Sequence, residues 1–154
     1  MRATVGAALC AGLLLASAAS AASAEEVGAW RRLTRDAAFE VAVDTASFTG
    51  PPTRRAARTV IVSLAEETPR PFLVVETEID CEARTISAAR MSLHDSAGAV
   101  MREGDLPAET ETVDEADGTA ELARAACGES VLDGEAFPSA AAFAAWTATL
   151  LTEP

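Results

Sequence analysis

The chain has 154 residues, a formal net charge of −12 and no Lys, Asn, Gln or Tyr, so that all twelve basic residues are Arg. The acidic balance lacks the basic footprint that nucleic-acid binding needs and opposes binding to anionic lipid. The length suits one domain with a hydrophobic core, and the missing residue types, most with A/T-rich codons, indicate a GC-rich bacterial genome.

Arg2 is the only charge before Glu25, and the apolar run VGAALCAGLLLASAAS lies between them. Ala22-Ser23-Ala24 gives the small-residue pattern that signal peptidase accepts. Residues 1–24 therefore read as a cleavable signal peptide, cut between Ala24 and Glu25. The run is short of the roughly 20 residues of a membrane span. Cys10 is not set in a lipobox, because Ala7 and Leu9 reverse the large-then-small order such a site wants, so it leaves with the signal. No second apolar span follows. Residues 25–154 read as a single domain, periplasmic or secreted rather than anchored at the cell surface.

A strand pattern begins around Trp30. Phe39, Val41 and Val43 then alternate with Glu40, Ala42 and Asp44, the signature of a half-buried strand. Gly50-Pro51-Pro52 breaks the chain, and RTVIVSLAE places Val60, Val62 and Leu64 on one face. FLVVETEIDC is the clearest strand. Leu73, Val75, Thr77, Ile79 and Cys81 share one side, and Glu76, Glu78 and Asp80 the other, which predicts a sheet with one wet face. RTISAARMSLHD reads as the next strand, Asp95-Ser96-Ala97-Gly98 as a hairpin turn and AVMRE as the returning strand. Five to six strands with short connections predict an antiparallel meander rather than βαβ units.

Leu106 to Gly118 reads as a long acidic loop with room for one edge strand. Leu122, Ala123, Ala126 and Cys127 fall on one helical face, with Thr119 as N-cap and Gly128 as the stop. A last helix is predicted over 139–151, where Phe143, Trp146 and Leu150 form a stripe suited to docking on the sheet. The expected fold class is α+β, an antiparallel sheet packed with one or two C-terminal helices.

Two cysteines remain after cleavage, Cys81 and Cys127. Export places them in an oxidising compartment, where paired thiols persist as a disulfide. A bond between them would staple helix to sheet, and closing a loop of this length is worth about 4 kcal/mol in the chain-entropy model. The spacing is not that of a redox CxxC motif, and with His94 the only histidine no zinc set is visible. No cofactor or metal is expected.

His94 sits before a turn with no nucleophile signature such as G-x-S-x-G, and reads as a turn-flanking surface residue. Asp114-Glu115-Ala116-Asp117-Gly118 lacks the ligand spacing and closing Glu of a calcium loop. Residues 103–135 carry eleven Asp or Glu and a single base, Arg124. They read as a solvated acidic face, with a cationic partner or divalent ions as the functional alternative.

The order of features carries a resemblance. Trp30 opens the domain, a strand ends in Asp44-Thr45-Ala46-Ser47, and RTVIVSL follows. EIDCEARTI supplies Asp80-Cys81 and Arg84-Thr85, the next strand closes on His94-Asp95-x-x-Gly98, and a helix ends in Cys127. Over residues 29–128 this resembles the surface-adhesin protein E-like domain of Gram-negative bacteria, with His94 where that family often has Tyr. The resemblance implies an antiparallel sheet packed with helix and a bond between the equivalent cysteines. Its best-known members are outer-surface adhesins that bind host matrix and serum proteins.

The resulting expectation is a non-enzymatic, adhesin-like binding protein of the envelope with an envelope or extracellular protein as ligand; its oligomeric state is not written in the sequence. The alternatives are a periplasmic enzyme or enzyme inhibitor with an acidic cleft of buried carboxylates, and a structural subunit of an envelope assembly marked by an exposed apolar patch.

Overall fold

The computed structural model describes residues 29–35, 38–65, 70–115 and 118–150. The expected signal peptide over 1–24, its expected cleavage site, residues 25–28 and residue 151 of the last predicted helix lie outside the described residues. So do residues 116–117 of the loop compared with a calcium site.

Eight strands and two helices form along the described chain. They are β1 (Trp30–Arg35), β2 (Phe39–Thr49), β3 (Arg54–Ser63), β4 (Phe72–Asp80), β5 (Thr85–His94), β6 (Val100–Asp105), β7 (Thr110–Thr112), α1 (Gly118–Ala126), β8 (Ala136–Phe137) and α2 (Ala140–Thr149). The sheet runs in the order β6-β5-β4-β3-β2-β1-β8, with β7 pairing β5 beyond the end of β6. Every pairing is antiparallel, so the predicted meander is present. The strand count exceeds the expected five to six. The additions are short pieces, β7 within the acidic stretch and the two-residue β8, which are too brief to leave an alternation in sequence.

The two helices lie on opposite faces of this sheet. Successive strand residues point to opposite sides. Val43, Ala57 and Ile79 cluster with Leu122, Ala123 and Ala126 of α1. Their neighbours on the other side, Ala42, Val60, Val62 and Phe72, cluster with Phe143 and Ala144 of α2. The expected wet face is thus half covered. On that side β4 reads Phe72, Val74, Glu76, Glu78, Asp80, apolar at one end and acidic at the other, and α2 sits over the apolar end.

Ser139 caps α2, its hydroxyl accepting the Ala142 N–H at 3.0 Å. Of the predicted stripe, Phe143 and Trp146 dock on the sheet, with Phe143 fully buried and edge-on to Phe137, while Leu150 caps α2, which ends at Thr149. α1 starts at Gly118, two residues before the start that a Thr119 cap implies. Thr119 lies inside it rather than at its cap, and its hydroxyl accepts the Asp114 N–H at 3.3 Å. The predicted disulfide is present, with Cα atoms of Cys81 and Cys127 5.8 Å apart. It ties the end of β4 to the end of α1.

β5 carries an irregularity that decides which of its side chains reach the α1 side. Glu76 pairs Arg90 while Thr77 pairs Ala88, so Ala89 is an extra residue in β5. A bulge of this kind resets which side chains face which way. Ile86 and Ala88 before it, and Met91 and Leu93 after it, all join the α1 side.

Candidate functional site

The residues that carry the resemblance build turns and staples. Asp80 accepts the N–H groups of Glu82 and Ala83 at 3.0 and 2.7 Å, folding the corner that holds Cys81. Arg84 adopts a left-handed backbone, φ 54°. Its guanidinium bridges Glu115 at 2.8 Å and Glu129 at 3.1 Å, and its carbonyl accepts the Val113 N–H. Arg124 adds a second bond to Glu115 at 2.7 Å. These ties pin part of the acidic stretch against α1. Asp95 accepts from Ala97 and Ala99 at 2.9 and 2.8 Å, and Gly98 takes φ 92°, where a side chain would strain the turn. Trp30 is buried, paired with Phe137 beneath α2. None of these positions presents a reactive group to a cavity mouth.

The α2 side of the sheet is a lattice of paired charges. Two carboxylates of β2 are fully buried, and sequence reading did not single them out. Glu40 takes a two-pronged bond from Arg32, 2.8 and 3.1 Å, and that guanidinium lies over the Trp146 ring at 5.4 Å. Asp44 accepts from Arg58 and from the Ala46 N–H. The row then continues across the sheet. Arg58 stands opposite Glu76 and Glu76 opposite Arg90, and Arg90 bonds Glu103 at 2.9 Å. Arg54 and Glu78 bond at 2.7 Å one row on. The signal available in sequence was the charged residues at alternate positions of β2 to β5, but their pairing depends on register.

Beside this lattice lies a cavity of about 730 Å³ between the sheet, the β5–β6 turn and the start of α2. His94 lines it, half-buried and stacked on Phe72 with ring centroids 5.0 Å apart, rather than standing out at the surface. Its Nδ1 is 3.0 Å from the Gly98 carbonyl, which can only accept, so Nδ1 carries the proton. Nε2 then accepts from the Ser92 hydroxyl at 2.8 Å. A hydroxyl bonded to an oriented imidazole is the first half of an activated nucleophile. Here the orienting group is a neutral carbonyl, and the same two bonds fasten the hairpin turn to its strand.

The α1 side is different. α1 covers only one end of it. The other end keeps Val41, Ile61, Leu73, Val75, Met91 and Leu93 half-buried. Where the bare sheet meets α1 there is a groove of about 510 Å³. Val41, Ile61 and Val75 form its floor, with Leu33 and Leu122 also lining it and Ile86 lying beside Glu111, its register partner. Leu106 and Pro107, on the connection from β6 to β7, make the opposite wall. Among the described residues, the only charged ones in its lining are Glu109 and Glu111, both exposed.

Among the described residues no group of three or more His, Cys, Asp or Glu is gathered as for a metal ion, and no helix is long and apolar enough to cross a membrane. Comparison of the chain with protein-family models, curated proteins and solved structures returns no match.

Proposed function

We propose that this chain is an exported, non-enzymatic binding protein of the bacterial envelope, and that the groove beside α1 holds a small apolar ligand rather than the protein ligand that the resemblance implies. The observation that carries this reading is the uncovered half of the α1 face. A folded chain gains about 25 cal/mol for each Å² of apolar surface it removes from water. A row of aliphatic side chains left half-buried in a concave trough is therefore surface that a ligand can still cover. The Cys81–Cys127 bond supports export, because such pairs persist in oxidising compartments.

Two measurements test the reading. Cell fractionation is expected to recover the protein in the periplasm or medium. The protein so isolated is expected to bind the neutral apolar dye N-phenyl-1-naphthylamine saturably, about one molecule per chain as the cavity size allows. Recovery in the cytoplasm would remove export, and a dye signal that never saturates would remove the groove.

The cavity holding Ser92 and His94 favours a second reading, an envelope enzyme acting by acyl transfer. Covalent labelling of Ser92 by a fluorophosphonate probe would favour it over the first.

A further inference from the structure

We infer that the groove takes a cationic amphiphile, with an aliphatic or aromatic body along the sheet and an amine or quaternary ammonium head at the mouth beside Glu109 and Glu111. This rests on the groove being the binding site and adds the class of ligand.

Three observations carry it. The first is size. At about 510 Å³ the groove matches a single small molecule rather than a folded protein segment. The second is the division of its lining. The sheet floor is aliphatic, relieved only by the hydroxyls of Thr59 and Thr77, whereas among the described residues the charge is confined to Glu109 and Glu111 on the exposed connection and edge strand. That is the plan of a site that buries an apolar body and leaves a charged head near water. The third is which carboxylates are already paired. In the same acidic stretch Glu103 bonds Arg90, Glu115 bonds both Arg84 and Arg124, and Glu129 bonds Arg84. Among the described residues Glu109 and Glu111 have no ion-pair partner and no basic residue lines the groove.

One feature opposes a cation. Gly118 and Thr119, at the positive end of α1, also line the groove. Glu121 in the first turn of α1 offsets that partial charge, so two full negative charges at the mouth outweigh it. A second copy of this chain is a poor occupant, because its own acidic rim would meet Glu109 and Glu111.

The test uses protein isolated with its disulfide intact and the dye already in the groove. Three ligands with the same ten-carbon chain compete below their micelle concentrations: decyltrimethylammonium, decyl glucoside and decanoate. The cation is expected to displace dye at about 3- to 10-fold lower concentration than the glucoside, with decanoate weakest, as befits exposed charges. The gap is expected to close at about 0.5 M salt. Glu109→Gln with Glu111→Gln is expected to abolish the cation's advantage and leave the glucoside unchanged. Both residues are exposed on a connection and an edge strand, so the fold should survive; if the variant does not fold, the salt dependence of the native protein decides alone. Equal potency of the three ligands, or decanoate as the best, would overturn the cationic class while leaving the groove standing. Failure of all three to displace dye would overturn the groove itself.

Discussion

Val60 and Ile61 are neighbours on β3, yet they belong to two different surfaces. Val60 is fully buried beneath α2, on the face where Glu40, Asp44, Arg58, Arg90 and Glu103 are held in ion pairs within the chain. Ile61 is half-buried on the α1 side, in a trough whose far wall is a loop. The α2 face has its charges neutralised row by row, from Asp44 and Arg58 across to Arg90 and Glu103. The α1 face keeps apolar area and two carboxylates that have no ion-pair partner among the described residues. A conspicuous cluster of charges is thus a poor guide to function when register pairs them off. What remains unsatisfied after folding is the better guide.

The contrast between the faces fails if stability is not distributed this way. The largest expected effect comes from the staple. Replacing Cys81 and Cys127 together by Ala should lower unfolding free energy by about 4 kcal/mol, read by urea denaturation. Next comes the Arg32–Glu40 pair. Glu40→Ala leaves Arg32 without its buried partner and should cost about 3 kcal/mol, near the lower limit for such pairs because Arg32 still reaches water. Replacing both residues by Met should recover most of that loss, since burying two charges is itself costly. A cost below about 1 kcal/mol for Glu40→Ala would show that these charges do not hold the α2 face.

Much of the fold was legible because local rules decided it. The alternation in β4, the turn at Asp95–Gly98 and the last helix each follow from a few neighbouring residues. In β2 the alternation misled, because Glu40, Ala42 and Asp44 are buried beneath α2 while Phe39 is exposed and Val41 half-buried. The placement of the helices was not. Whether α2 covers the face bearing Glu76 or the face bearing Val75 depends on Phe72 and Val74 lying on the acidic side of β4, a half-and-half pattern that averages out along the strand. The groove was hidden for a similar reason. It depends on the bulge at Ala89, which brings Ile86 and Ala88 onto the same side as Met91, and on where Leu106 and Pro107 pass over the sheet. Ser92 was missed because its bond to His94 depends on side-chain geometry rather than on any sequence motif. The resemblance pointed to Asp80, Arg84, Asp95 and Gly98, and these turn out to shape corners rather than to form a site.

The smaller predictions separate the faces residue by residue. Val60→Ala opens a cavity under α2 and should cost about 2 kcal/mol without changing dye binding. Ile61→Ala, one residue on, removes a side chain already half in water. It should cost about 1 kcal/mol but weaken dye binding, because Ile61 forms the groove floor.

Smallest of all is Arg90→Ala. The Arg90–Glu103 bond is exposed on both sides, and pairs of this kind are worth about 0.2–1 kcal/mol. Stability should therefore move by less than about 1 kcal/mol, and dye binding not at all. This variant is the control that gives the others meaning. Arg90 stands on β5 one position before Met91, on the opposite side of the sheet from the groove. A loss of dye binding in Arg90→Ala would mean that the two faces are coupled through β5, and the division between a structural face and a binding face would have to be redrawn.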